Sequence, residues 1–307
     1  MFWTADDIPD QSGRTAVVTG ANGGLGLATA KALAGRGAHV VMAARNQAKA
    51  RSAHDEITAA HPEASLEIVE LDLGSLASVG AAAKQILGAH RRIELLINNA
   101  GLMALPEQRT EDGFELQFGV NHLGHWAFTA HLLPAIVDTA GARVVTVCST
   151  AQHVGRPVDP DNPHLRGNYG EWRAYGQAKL ANRHFAIGLQ REFERAGAAA
   201  RSLAAHPGLS NTDLQARTVR ENDASRLGPM FHSMTRGFGM SPDRGALSQL
   251  RAATDPGARG GELYGPLFVS HGPPVSKPLL RPGADRAIRI LWEVSERETG
   301  IPLDVDG

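Results

Sequence analysis

Tyr175 and Lys179 lie four residues apart in the stretch Trp172-Arg173-Ala174-Tyr175-Gly176-Gln177-Ala178-Lys179-Leu180-Ala181-Asn182. If that stretch opens a helix, the two side chains share one face, one turn apart. A phenol ordinarily keeps its proton up to about pH 10. A neighbouring ammonium favours the phenolate and draws that value toward neutrality. A tyrosine tuned in this way can hand a proton to a carbonyl oxygen, or take one from an alcohol. With three Tyr and five Lys in 307 residues, chance supplies roughly 0.05 such pairs. Alone, the pair also reads as an ordinary aromatic–cation contact on a surface helix.

A second group of residues has the chemistry of a phosphate cradle. Thr15 to Thr19 is a short β-branched run, read as a buried parallel strand. It runs into Gly20-Ala21-Asn22-Gly23-Gly24-Leu25-Gly26, and a helical pattern follows from Leu27 to Arg36, closed by Gly37. Glycines let the backbone approach a pyrophosphate, and a helix N-terminus supplies free N–H groups and a positive dipole end. The spacing is Gly20, Gly24, Gly26 rather than G-x-G-x-x-G, and a plain tight turn is the bland alternative. Ala38 to Ala43 reads as a second strand, followed by Ala44 and Arg45 with no acid. An acid there would bond a ribose 2′-hydroxyl, whereas an arginine accommodates a 2′-phosphate. The expected cofactor is therefore NADP(H), with NAD(H) possible. A solvated loop base is the other reading of Arg45.

The elements that must position these residues alternate between strand and helix. Helices are expected over Gln47–Ala60 and Leu76–Ala89, and strands over Leu66–Leu71 and Ile93–Asn98. Asp72-Leu73 closes the third strand; Asp72 is either an adenine contact or a partner of Ser75 in capping the next helix. Asn98-Asn99-Ala100-Gly101 ends the fourth strand with small polar residues suited to a close cofactor. One long helix is expected from Asp112 to about Val137. Asn121 sits inside it, either as a satisfied core amide or as a kink or water-binding residue. Strand Arg143–Cys148 ends at Ser149. An irregular stretch of about 20 residues, Ala151–Glu171, reads as functional or lid-like. The Tyr175 helix runs to about Ala196, and strand Ala199–Ala205 ends in His206-Pro207-Gly208. Residues 209–241 read as a mobile apolar cap. Helix Pro242–Ala253, a last strand Leu263–Val269 and helix Asp285–Val294 complete the chain. Gly20, Arg45, Asp72, Asn99, Ser149 and Pro207-Gly208 thus all follow strands, the edge where open α/β sheets bind ligands.

Composition narrows the function classes. The net charge is −1, with acids and bases interspersed, which excludes a nucleic-acid stripe or a polybasic lipid anchor. Cys148 is the only cysteine, so no intrachain disulfide forms and a cytoplasmic, reducing location is expected. The first ten residues lack the pattern of a signal peptide. No apolar run is long enough to span a membrane, and no metal-ligand set is expected.

Together these residues resemble the short-chain dehydrogenase/reductase family. The likeness rests on Thr19 to Gly26, Asp72-Leu73, Asn98 to Gly101, Asn121, Ser149, Tyr175 with Lys179, and Pro207-Gly208, and covers about residues 13–255. Ala43-Ala44-Arg45, Val120 to His125 and Lys179 to Asn182 are similar to the retinol-dehydrogenase-like and protochlorophyllide-reductase-like branch. The resemblance implies an α/β, Rossmann-type doubly wound parallel sheet in three layers, one domain over 1–307. Its parts would be a core (13–208), a helical substrate cap (209–241) and C-terminal helices with a last strand (242–307). It implies a proton relay of Asn121, Ser149, Tyr175 and Lys179. Tyr175 would be the general acid/base and Ser149 would bind the substrate oxygen. Lys179 would lower the Tyr175 pKa and hold the nicotinamide ribose, and Asn121 would hold a water. The cofactor contacts would be Gly20, Asn22, Gly23, Gly24, Leu25, Gly26, Arg45, Asp72, Leu73, Asn99, Ala100, Gly101, Tyr175, Lys179, Pro207, Gly208 and Thr212. The expected activity is interconversion of a carbonyl and an alcohol on a hydrophobic small molecule. A non-catalytic, cofactor-binding regulatory module is the alternative. Monomers and homo-oligomers both fit.

Overall fold

In the computed structural model, which describes residues 2–209, 240–278 and 284–306, the run Thr15–Thr19 is strand β1. Val17 joins one hydrophobic core, while Ala16 and Val18 join the other. A β-branched run buried on both faces is what a central parallel strand requires. The elements in order are β1 (Thr15–Thr19), α1 (Gly24–Ala34), β2 (His39–Ala44), α2 (Gln47–Ala60), β3 (Ser65–Glu70), α3 (Leu76–Ala89), β4 (Leu95–Asn98), α4 (Leu116–Phe118), α5 (Gly124–Leu132), β5 (Arg143–Val147), α6 (Glu171–Ala196), β6 (Arg201–Ala205), α7 (Pro242–Thr254), β7 (Leu263–Pro266), β8 (Pro274–Lys277) and α8 (Ala284–Thr299).

The strands form one sheet in the order β3-β2-β1-β4-β5-β6-β7-β8. All neighbours are parallel except β7 and β8. Helices α3, α5, α6 and α8 cover one face, and α1, α2 and α7 cover the other. This is the three-layer, Rossmann-like architecture, and the strand order reverses between β1 and β4. A crevice opens at such a point beyond the carboxyl ends of the strands.

Three expectations need correction. The helix expected over 112–137 begins at Leu116, because the Glu115 carboxylate accepts from the Gln117 and Phe118 amides at 2.9 and 2.7 Å and so caps it. A π turn, Gly119–Leu123, then interrupts it around Asn121, and a 3₁₀ turn holding Pro134 ends it. The last strand stops at Pro266, where Leu267 N donates to Pro273 O at 2.9 Å and turns the chain back into β8. The stretch Ala151–Glu171 is tied down rather than free: Gln177 Nε2 donates to Pro163 O at 2.8 Å, and His164 bridges Glu115 N and Glu298 at 3.2 and 2.9 Å. The expected cap and Thr212 lie outside the described residues, apart from Leu209, Met240 and Ser241 at its ends. Among the described residues, no helix is long and apolar enough to cross a membrane.

Candidate active site

A cleft of about 430 Å³ opens at the crossover between β1 and β4. That lies within the range of about 300–1,000 Å³ usual for small-molecule sites. Its floor is the turn between β1 and α1. Gly20 has φ +69°, and a Cβ on it would stand 3.1 Å from Ala100 Cα. A Cβ on Gly26 would run into the Gly20 carbonyl oxygen. Only glycine therefore lets α1 start so close to β1 and β4. Space beside Gly23 is open, and Gly23 begins α1 without any side-chain cap. The first amides of α1 are left to whatever enters the cleft, at the positive end of the helix dipole. An uncapped N-terminus flanked by glycine fits a phosphate-bearing cofactor. Asn22, Gly23, Gly24, Leu25 and Gly26 all line it.

The turn is held by one hydroxyl. Thr19 Oγ1 accepts from the Asn99 and Ala100 amides, each at 2.9 Å, and meets His125 Nε2 at 2.9 Å. His125 Nδ1 stands 3.0 Å from Asn121 O. A carbonyl only accepts, so Nδ1 carries the proton and Nε2 accepts from Thr19. Burial keeps this ring neutral, with its pKa pulled down to about 4. Neither Thr19 nor His125 was among the expected site residues. The available signal was that His125 follows Asn121 by one helical turn. The Asn99 side chain acts as a brace: its Nδ2 donates to Thr19 O at 2.8 Å and its Oδ1 accepts from Gln249 at 3.2 Å.

At one end of the cleft stand Arg45, Asn46, Lys49, Asp72 and Leu73. Arg45 Nη1 lies 3.5 Å from Asp72 Oδ2, with side chains 57% and 35% exposed. A pair this long and this wet contributes little, so the guanidinium is available to an anion. Asp72 Oδ1 accepts from Gly74 N at 2.8 Å and shapes the turn, while Ser75 caps α3. Lys49, on the first turn of α2 that Asn46 caps, brings a second cation that sequence reasoning missed.

At the other end, α6 delivers Tyr175 and Lys179, both buried. Lys179 Nζ lies 5.9 Å from the centre of the Tyr175 ring and donates to Val147 O at 3.1 Å. The expected acidification of the phenol does not hold here. Burial pushes Tyr175 up to about 12, opposed by its hydrogen bond with Ser149. Burial also pulls Lys179 down to about 8. Desolvation penalises both charged forms and is the largest cause of each shift. Ser149 follows β5 and caps the short turn Thr150–His153, with Oγ accepting from Ala151 N at 3.3 Å. Cys148 beside it is buried, and its thiol is pushed up to about 12.

Asn121, in the π turn, spends its side chain on the backbone of Leu102: Oδ1 accepts from N at 2.6 Å and Nδ2 donates to O at 2.9 Å. It is a satisfied amide that fixes the Gly101–Leu102 segment. A Cβ on Gly101 would stand 2.9 Å from Asn121 Oδ1 and 3.3 Å from Lys179 Nζ. Ala100, Gly101 and Pro207 line the cleft, but Gly208 does not. Gly208 has φ +70°, and a Cβ there would be 2.5 Å from Ser270 O. Its glycine is required by the close approach of the β7–β8 hairpin. Leu102, Val120 and Val147 also line the cleft and were not foreseen.

The sequence pattern of the short chain dehydrogenase family matches residues 14–223. Retinol dehydrogenase 14 of Mus musculus is 35% identical over 300 residues, 94% of this chain and 86% of that one. Polyprenol dehydrogenase of Mus musculus is 38% identical over 259 residues, 82% of this chain and 75% of that one. The crystal structure of an uncharacterized protein from Mycobacterium paratuberculosis is 38% identical, with a TM-score of 0.78 over 99% of this chain and 100% of that chain. Matched over more than half its length by the family pattern, and over nearly all of it by a retinol dehydrogenase, the chain belongs to the short-chain dehydrogenase family, in its retinol-dehydrogenase-like branch, and is an NAD(P)-dependent oxidoreductase of carbonyl and alcohol groups.

Proposed function

We propose that this protein is an NADP(H)-preferring oxidoreductase of a hydrophobic carbonyl or alcohol, with Tyr175 as the general acid/base. The observation that carries the reading is that Tyr175 and Lys179, one turn apart on α6, line the same cleft as the Gly20–Gly26 turn and Arg45. The nicotinamide cofactor, when bound, supplies or takes the hydride. Ser149 Oγ orients the substrate oxygen, and Tyr175 Oη moves the proton to or from it. A phenol near 12 is fully protonated at neutral pH, which suits it to donate to a carbonyl oxygen as that oxygen gains charge. Lys179 holds the ribose hydroxyls beside Tyr175. The side chain of Asn121 is committed to Leu102, so a water linking Lys179 to solvent would have to share the Asn121 carbonyl with His125 Nδ1.

Arg45 and Lys49 line the adenosine end of the cleft, where no acid terminates β2; two cations favour a 2′-phosphate. Thr212 remains a contact that only the resemblance implies. Residues 13–208 form the cofactor core of this reading, since among the described residues those that line the cleft fall inside them. The C-terminal part, 242–307, closes the sheet. A hydrophobic substrate is supported by Trp172, whose ring stands edge-on to Tyr175 at 6.0 Å, and by Met103 and Ala104 beside them. The relatives named retinol and polyprenol dehydrogenases point to the same class of alcohol. A cytoplasmic location rests on the lone buried thiol of Cys148.

The test is nicotinamide absorbance over a panel of ketones, aldehydes and long-chain alcohols. Tyr175→Phe removes one hydroxyl and should cut kcat by about 10²–10⁴-fold while NADPH still binds. Unchanged turnover in that variant would reject Tyr175 as the proton donor.

A further inference from the structure

At the sheet edge opposite the cleft, His39, Glu67 and His90 converge from three elements. His39 opens β2, Glu67 lies in β3, and His90 follows the last residue of α3. Val41 is the register partner of Glu67, and His39 is two residues before Val41. His39 and Glu67 therefore leave the sheet on the same face. That face is the one α3 covers, through Val41, Val79 and Ile86, and His90 meets them from its end.

Their ligand atoms all lie within 4.8 Å of one another. Glu67 Oε2 is 2.8 Å from His90 Nε2 and 3.7 Å from His39 Nε2. Two ligands at about 2.05 Å from a tetrahedral metal stand about 3.3 Å apart, between those two distances. The His39 ring is already aimed: its Nδ1 stands 2.8 Å from Ser65 Oγ, so Nδ1–H can donate outward and leave the Nε2 lone pair directed at the cluster. This arrangement, with the far nitrogen tied to a neighbour, is how metal-binding imidazoles are held. His39 Nε2 is buried and has no hydrogen-bond partner. Buried polar atoms rarely stay unpaired without cause. A His90–Glu67 ion pair leaves His39 Nε2 with only a long, 3.7 Å approach to the same carboxylate and no hydrogen bond.

We propose that His39, Glu67 and His90 form a site for a divalent transition metal of the zinc type. Two imidazoles and one carboxylate are a recognised three-residue zinc set, and a water would complete the tetrahedron. The three side chains are 29%, 27% and 16% exposed, so an ion can reach them without unfolding. The bound ion ties β2, β3 and the end of α3 together, far from the cleft, and acts on stability rather than on turnover.

The test uses the full chain stripped with a chelator and titrated calorimetrically with Zn²⁺. A single saturable site is expected, together with a higher melting temperature in Zn²⁺ than in chelator. His39→Ala and His90→Ala should each weaken binding about 100-fold, and Ser65→Ala about tenfold through loss of the aiming bond. Tetrahedral Co²⁺ absorption bands should form in the parent chain and be absent from His39→Ala. Circular dichroism checks that the variants are folded, as partly exposed substitutions should be. If the stripped protein shows no saturable Zn²⁺ binding, or if folded His39→Ala and His90→Ala bind as the parent does, the site does not exist.

Discussion

Lowering the pH should unfold this protein through its buried histidines, and His125 allows the size of the effect to be worked out. Its ring is 1% exposed and its pKa is pulled down to about 4 from an ordinary 6.5, burial being the main cause and Lys179 a lesser one. The folded chain keeps the ring neutral where the unfolded chain takes up a proton. The stability is therefore fully present above pH 6.5 and is lost as the pH falls toward 4. At about 1.4 kcal/mol per pH unit, the loss from His125 is about 2 kcal/mol by pH 5 and approaches about 3 kcal/mol near pH 4. His122 and His206, pulled down to about 3 and about 4 by burial, act in the same direction. The three together approach about 6 kcal/mol by pH 5, a large share of a total stability of about 5–15 kcal/mol. Glu115, raised by burial, works the other way and gains stability on protonation. The assay is urea unfolding followed by circular dichroism at several pH values between 7.5 and 5, at fixed ionic strength. His125→Asn supplies an N–H near the Nδ1 position for Asn121 O but cannot titrate. Its stability should fall by about 2 kcal/mol less over that range. Equal slopes for parent and variant would show that His125 is already charged, or not buried, and would undo the Thr19–His125–Asn121 chain.

Two substitutions address the cleft directly. Arg45→Ala should weaken NADPH by about tenfold to thirtyfold, the worth of one charge-assisted contact partly shared with Lys49, and should change NADH little. Equal losses for the two cofactors, measured by fluorescence titration, would mean that Arg45 does not read a phosphate. Gly26→Ala drives a methyl into the Gly20 carbonyl and to 2.7 Å from Asn99 Nδ2. It should cost about 1–3 kcal/mol by thermal denaturation and abolish cofactor binding, whereas Gly23→Ala, whose Cβ meets nothing within 4 Å, should melt like the parent.

What could be read from the sequence was whatever is written locally. The bounds of α2 and α3, Gln47–Ala60 and Leu76–Ala89, agree with expectation, because Asn46 and Ser75 are adjacent capping residues in plain view. The strand-ending motifs were legible for the same reason: a parallel strand, a turn residue and a helix follow one another in the chain. The late start of the helix at Leu116 was not legible. There Glu115 turns its carboxylate onto the next amides instead of facing solvent as a helical glutamate would. Strand β8 was hidden by Pro273 and Pro274, which argue against a strand unless it lies at an edge, as this one does. The cluster of His39, Glu67 and His90 was out of reach, since only the register of β2 on β3 brings residues so distant in sequence together.

The Tyr175–Lys179 pair shows why the spacing was right while its electrostatics were not. A separation of four residues specifies proximity, and the ammonium does lie 5.9 Å from the ring. It does not specify the surroundings in which the two groups meet. Burying both on α6 raises the cost of each charge, and the carbonyl of Val147 takes the ammonium as its partner. The phenol consequently stays protonated, and the ammonium becomes the more easily discharged of the two. In this structure Lys179 is a fixed donor to the Val147 carbonyl at the end of β5. An oxidised nicotinamide beside the phenol would add positive charge and lower its pKa. It follows that the Tyr175 phenol, followed by ultraviolet titration against Tyr175→Phe, should ionise at lower pH with the oxidised cofactor bound than without it, while Lys179→Met should reduce cofactor affinity more than it shifts that titration. A titration that shifted fully with Lys179→Met and not with cofactor would restore the ammonium to the role its spacing first gave it.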